Sequence, residues 1–223
     1  MQDLASVLKR ELRNTLINNL KMQIDEERLE NWKSKFLLYL AELKKWNKAY
    51  NLTSIEDERE IIVKHFLDSL LYLWFVPDKP LSLADVGSGG GFPGIPISII
   101  RNDLKISLIE PSWKKCAFLK NIKRKLNLNH IEVFQTKVED IENTYDIIVS
   151  RALWKIEDLI KNTSHILRDD GFFIISKSIK FKEELSQLPK DYKIEIKEFD
   201  LSLNRISFPE AKRFIIKIVK CAF

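Results

Sequence analysis

Apolar residues recur at helical spacing through the first third of the chain. Leu4, Val7, Leu8, Leu12, Leu16 and Leu20 mark one stripe; Leu29, Trp32, Phe36, Tyr39, Leu40, Leu43 and Trp46 mark a second. The polar run 47–54 predicts a break, and a third helix is expected over 56–75, stopping before Pro77. Beyond Pro80 the texture changes. Short β-rich runs at 81–86, 105–110, 131–135, 146–150 and 172–177 alternate with helical patterns at 95–101, 112–126 and 155–167. That alternation predicts parallel βαβ units with right-handed crossovers. Residues 193–199 and 213–220 read as two strands with no helix between them, an antiparallel pair closing the sheet edge. The expected fold class is α/β: a mostly parallel seven-stranded sheet with an antiparallel edge strand. One domain is expected, with a helical extension at 1–55 and the core at 56–223.

At 223 residues, 45% hydrophobic and 31% charged, the chain is long enough for one substantial core. A net charge of +5 permits a polyanionic partner without establishing one. Cys116 and Cys221 form neither a disulfide framework nor a metal-ligand spacing, so no metal and a cytoplasmic setting are expected. The N-terminus carries charges where a signal peptide needs an apolar core. The longest apolar stretch, 67–76, contains Asp68 and falls short of the roughly 20 residues that span a bilayer. No membrane association and no obligate protein partner are therefore expected, and a monomer is anticipated.

Glycine is used sparingly and in one place. Five of the six glycines, Gly87, Gly89, Gly90, Gly91 and Gly94, fall between the 81–86 strand and a proline-containing apolar segment. Strand, glycine turn and helix in that order suit a nucleotide-type cofactor. The turn fits two registers. Gly87, Gly89 and Gly91 begin at the strand end, whereas Gly89, Gly91 and Gly94 give a literal G-x-G-x-x-G shifted by two. In the first register Phe92 stands where a dinucleotide fingerprint has glycine. Phe92 and Pro93 would crowd a pyrophosphate there and suit a cofactor without phosphates. No Gly-Lys-Ser/Thr follows, which excludes a P-loop.

Other candidates cluster at strand ends. Glu110 lies about 20 residues past the turn, where an acid bonds ribose hydroxyls, or else it is a solvated carboxylate. Val138, Glu139 and Asp140 would flank an adenine ring, unless Glu139 only marks a helix start. Arg151 can hold a carboxylate or anchor a phosphate. Its bland alternative is a surface arginine paired with Asp146 or Glu139. His65 and Asp68 share a helix face, either shaping a substrate entrance or supporting the turn. Cys116 falls in the apolar pattern of its helix and reads as core.

Taken together these segments resemble the RsmG (GidB) family. The match runs through 46–53 (Trp-Asn-Lys-Ala-Tyr-Asn-Leu-Thr), 64–70 with its His-x-x-Asp-Ser helix, the 85–96 turn, 110–119, and Ser150-Arg151-Ala152. The resemblance implies a Rossmann-like class I methyltransferase fold with S-adenosylmethionine as cofactor. It implies transfer of a methyl group to N7 of a guanine in 16S ribosomal RNA, free or in the 30S subunit. The cofactor contacts it implies fall at Gly87, Phe92, Glu110, Pro111, Ser112, Val138, Glu139 and Arg151; the turn itself adds Gly89 and Gly91. No catalytic residue is assigned, the candidates being Arg151, His65 and Asp68. Guanine N7 has a lone pair and no proton near neutral pH, so proximity suffices and no general base is needed. Lysines beside the strand ends, Lys114, Lys115, Lys155, Lys177 and Lys180, are the candidates for RNA contact. Further basic groups are Lys44, Lys45, Lys48, Lys123, Arg124 and Lys125. Three competing readings remain: a dinucleotide oxidoreductase, a non-catalytic ribosome-binding factor and a small-molecule methyltransferase.

Overall fold

The computed structural model describes residues 3–151, 153–177, 181–189, 191–201 and 212–221. Helix α1 (Leu4–Arg13) continues as a π-helical stretch, Asn14–Asn19. Helix α2 (Glu26–Tyr50) begins where the Asp25 carboxylate accepts the Arg28 N–H, an N-cap bond that satisfies one otherwise unpaired amide. It runs further than the polar composition of 47–50 predicts. Asn51 closes it in the left-handed conformation (φ 49°), which asparagine tolerates, while the Asn47 side chain accepts the Thr53 N–H at 2.8 Å.

The third helical segment is continuous but changes its winding. It starts as α3 (Glu58–Ile61), capped by Asp57, and passes through π geometry over Ile62–Leu67. It continues as α4 (Asp68–Leu70) and a 3₁₀ turn, Leu71–Trp74. π segments of this kind are frequent at functional sites, and this one carries His65.

The remaining elements follow in chain order: β1 (Ser82–Val86), α5 (Gly94–Ile100), β2 (Lys105–Ile109), α6 (Trp113–Lys125), β3 (Ile131–Phe134), β4 (Tyr145–Arg151), α7 (Ile156–Thr163), β5 (Leu167–Lys177), α8 (Phe181–Ser186), β6 (Tyr192–Asp200) and β7 (Lys212–Lys220). The sheet order is β3-β2-β1-β4-β5-β7-β6. Strands β1 to β5 pair in parallel; β7 pairs antiparallel with both β5 and β6. The predicted antiparallel pair exists, with β7 inserted one place in from the edge. Helix α8 was not predicted: its six residues are too few to show a periodic stripe. Strand β5 starts at Leu167 rather than 172, because a 3₁₀ turn, Ser164–Ile166, ends the preceding helix early.

The sheet separates two apolar clusters. One face carries Leu83, Ile106, Leu108, Ile147, Val149 and Ile174 against the N-terminal helices, α5 and α6; the other carries Ala84, Val86, Ile148, Phe173 and Ile175 against α7. Alternate residues of each strand serve opposite faces, as a sheet covered on both sides requires. The order 2-1-4 at the centre makes β1/β4 the point where crossovers change side, and ligands lie outside strand carboxyl ends at such a point.

Candidate functional site

The chain leaves β1 at Val86 and hooks over β2, with the N–H groups of Gly87 and Ser88 both donating to the Ile109 carbonyl. The glycines then divide by what surrounds them. At Gly89 the backbone is left-handed (φ 57°), and a Cβ there would meet only the Gly87 carbonyl oxygen, at 3.8 Å: the space is open. At Gly91 (φ 93°) a Cβ would come within 2.6 Å of Ile95 and 2.7 Å of the Tyr39 hydroxyl. One end of the turn thus faces outward and the other is wedged into the core.

Glu110 stands at the open end, buried, just beyond β2. Its Oε2 accepts the Gly89 N–H at 2.9 Å and its Oε1 accepts the Ser112 N–H at 2.9 Å. An ionised carboxylate has about four lone-pair sites, so these two bonds leave acceptor capacity for hydroxyls. The solvated-carboxylate alternative is excluded by this burial. Pro111 is exposed and Ser112 half-buried beside it; across the strand ends, the 3₁₀ turn Val138–Asp140 presents a buried Val138 and an exposed Glu139.

The packed end meets the N-terminal helices. Tyr39 donates its hydroxyl hydrogen bond to the Gly90 carbonyl. Phe92 is buried, with ring centroids 5.4 Å from Tyr39 and 4.5 Å from His65. The Arg151 guanidinium lies 4.9 Å from the Phe92 centroid, donates to the Lys64 carbonyl at 3.0 Å, and sits 3.6 Å from Asp68 Oδ2. On the other side of Asp68, Arg213 Nε donates to Oδ1 at 3.0 Å. Burial pushes the Asp68 pKa up while the two arginines pull it down. The pairing proposed for Arg151 with Asp146 or Glu139 is replaced by this one: Asp146 instead binds Arg168 and accepts from Ser82.

His65 is fixed at both ring nitrogens. Nδ1 lies 3.2 Å from the Lys64 carbonyl, which only accepts, so Nδ1 carries the proton and Nε2 accepts from the Thr53 hydroxyl at 2.6 Å. Burial, with the Arg151 charge adding to it, drives its pKa down to about 3, so the ring is neutral at neutral pH. Asp85, under the turn, accepts the Gly94 N–H on Oδ2 at 2.9 Å, while Oδ1 has no partner among the described residues. Burial raises its pKa to about 7.

That Asp85 bond gives a reason against phosphate binding that the sequence did not supply. Phe92 is turned into the core. It is Asp85 that occupies the first free amide of α5, the place where a phosphate would sit.

The basic candidates are dispersed. Lys114 and Lys155 are exposed, and Lys115 reaches within 3.9 Å of Glu110. Lys177 is committed to Glu184 and the Trp154 carbonyl, at 2.8 and 3.0 Å. Lys44 pairs with Glu58 and Lys125 with Glu42. Lys48 lines a cavity of 730 Å³ between the end of α2 and residues 51–61. Lys180 and Ala152 lie outside the described residues. Among the described residues no cluster could hold a metal ion, and no helix is long and apolar enough to cross a membrane. Tyr39, Thr53, Tyr72 and Arg213 were missed as site residues by sequence reasoning. Tyr72 ties its helical segment to the sheet, donating to the Ser150 carbonyl at 2.9 Å and accepting the Ser176 N–H at 3.0 Å.

Comparison with known proteins identifies the family and the fold. A family model described as rRNA small subunit methyltransferase G matches residues 32–209. The ribosomal RNA small subunit methyltransferase G of Hydrogenovibrio crunogenus is 40% identical over 190 residues, 84% of this chain and 85% of that protein. Its counterpart from Neisseria gonorrhoeae is 36% identical over 194 residues, 86% of this chain and 90% of that protein. Among solved structures, the ribosomal protein L11 methylase of Lactobacillus delbrueckii subsp. bulgaricus aligns with a TM-score of 0.53 at 20% identity, covering 71% of this chain and 79% of that one. M. jannaschii TYW2 in complex with AdoMet aligns with a TM-score of 0.53 at 15% identity, covering 75% and 79%. These two structural likenesses establish a shared Rossmann-like methyltransferase fold.

Proposed function

The chain belongs to the rRNA small subunit methyltransferase G family, and from that premise we propose that it transfers a methyl group from S-adenosylmethionine to N7 of a guanine in small-subunit ribosomal RNA. The observation that carries the reading is the open end of the glycine turn. Gly89 faces free space while Glu110 holds its amide and keeps acceptor capacity at the rim. The cofactor fits these residues. Its ribose hydroxyls suit Glu110, its adenine would lie beside 110–112 and Val138–Glu139, and it has no phosphate to contend with Asp85 at α5. Gly87, Gly89 and Arg151 complete the set, with Phe92 acting as the platform under Arg151. A dinucleotide oxidoreductase fits less well, since Asp85 closes the pyrophosphate position.

When bound, the cofactor would supply a methyl group on a sulfonium sulfur: the in-plane lone pair of guanine N7 forms the N–C bond as the C–S bond breaks, S-adenosylhomocysteine leaves, and the positive charge passes to the base with no proton lost. This chain's residues then have positioning work alone. Arg151, held by Asp68, the Lys64 carbonyl and Phe92, presents its remaining donors at the end of β4, where the acceptor base must arrive. His65 supports Phe92 and stays neutral; a ring with a pKa of about 3 is a poor proton acceptor. The protein acts as a monomer on RNA and needs no partner chain.

The test is methyl transfer from labelled S-adenosylmethionine to small-subunit RNA or 30S particles, with the label mapped by strand scission at N7-methylguanine. Scission at one guanine is expected. Label in another base position, in protein or in a metabolite overturns the assignment.

A further inference from the structure

Aromatic residues at the junction of α2 and α6 form a ladder from core to solvent. Phe118 is fully buried. Trp46 packs on it with centroids 5.7 Å apart, Tyr50 on Trp46 at 5.5 Å, and Trp113 meets Tyr50 edge-on at 6.4 Å. Exposure rises along this path to 36% at Tyr50 and 58% at Trp113, the most exposed large apolar side chain among the described residues. Lys114 Nζ stands 6.0 Å from the Tyr50 centroid and 5.9 Å from that of Trp113.

A single exposed apolar residue is ordinary. This one differs in three respects. The ladder anchors its neighbour against the core, so the rings are presented rather than loose. A cation stands within reach of both ring faces. The place is also specific: Trp113 follows the Glu110–Ser112 turn directly, and Tyr50 leads into Leu52, whose carbonyl approaches Gly90. The rings therefore stand on the two elements either side of the glycine turn, Tyr50 leading to its packed end and Trp113 to its open end.

We propose that Tyr50 and Trp113 form a stacking shelf for an unpaired base of the RNA next to the methylated one, with Lys114 neutralising the adjoining phosphate. The proposal rests on the RNA methyl-transfer reading above. Stacking on aromatic side chains with a basic group alongside is how single-stranded RNA is gripped. The surroundings match that charge: Lys45, Lys48 and Lys114 are exposed at the ends of the same two helices, and the Glu110 carboxylate is engaged by two backbone amides.

The experiment measures binding of the full chain to small-subunit rRNA at several salt concentrations, and to S-adenosylmethionine by calorimetry, for the wild type, Trp113→Ala, Trp113→Phe and Lys114→Ala. Loss of one stacked base weakens RNA binding by about tenfold in Trp113→Ala, within the usual range for such contacts, and Trp113→Phe recovers most of it. Trp113→Ala leaves the salt slope and the cofactor affinity unchanged; Lys114→Ala reduces the salt slope by about one. Wild-type affinity for RNA in Trp113→Ala overturns the shelf, as does a loss of cofactor affinity in its place. The functional reading fails separately, if the wild type itself does not bind rRNA.

Discussion

On the side of the glycine turn that meets the N-terminal helices, Tyr39, His65, Asp68 and Arg151 are each tied to protein partners. On the side that meets 110–112, Gly89 looks onto open space and Glu110 keeps acceptor capacity. Adjacent residues of one loop thus serve two purposes. The packed half fixes where the loop is; the open half leaves space where the proposed cofactor would lie. The difference shows how one loop can be both glycine-rich and tightly packed: glycine at Gly91 is needed to let Tyr39 and Ile95 close in, whereas glycine at Gly89 keeps a surface clear.

The comparison breaks most visibly at Asp68. Asp68→Ala removes the buried carboxylate that Arg151 and Arg213 share, and removing one partner of such a buried pair costs about 3–5 kcal/mol. Urea denaturation should show that loss. A variant as stable as the wild type would mean that the packed side does not depend on this network.

A second effect appears with pH. His65 has its pKa lowered from 6.5 to about 3, so its contribution to stability is present above 6.5 and is lost as pH falls towards 3. Asp85 has its pKa raised from 3.8 to about 7, so its contribution is present below 3.8 and is lost as pH rises towards 7. The two slopes oppose each other between 3.8 and 6.5. Asp85→Asn removes one of them. Its stability relative to wild type should rise with pH across that window by about 1.4 kcal/mol per unit, read from urea midpoints at several pH values. Parallel profiles for the two proteins would remove Asp85 from the account.

The smallest expected effect separates the two glycines. Gly91→Ala, strained by positive φ and by contacts under 3 Å, should destabilise the fold by more than about 1 kcal/mol. Gly89→Ala shares only the backbone strain, and its main loss should be in affinity for S-adenosylmethionine, measured by calorimetry. Equal stability losses with equal cofactor affinities would erase the distinction between the halves.

How much of this was legible in the sequence follows from distance along the chain. The strand, turn and helix around 81–100 were readable because each signal is local: apolar run, glycines, apolar run. The place of Glu110 beside the turn was readable because a parallel βαβ unit returns the chain to the neighbouring strand. Arg213 was not, because its meeting with Asp68 spans 145 residues and depends on the register of β7 against β5. Tyr39 looked like one more member of an apolar stripe; only the packing of α2 against the turn shows that its hydroxyl meets Gly90. Lys177 looked available for RNA because the short helix carrying Glu184 left no periodic trace.

The division of the turn is tested most directly by hydrogen exchange of the protein with and without S-adenosylhomocysteine. Protection is expected to rise in segments covering 86–90, 110–113 and 137–141 and to stay unchanged over 64–69 and 213–219. Protection gained only in the latter two segments would place the ligand on the packed side and contradict the account.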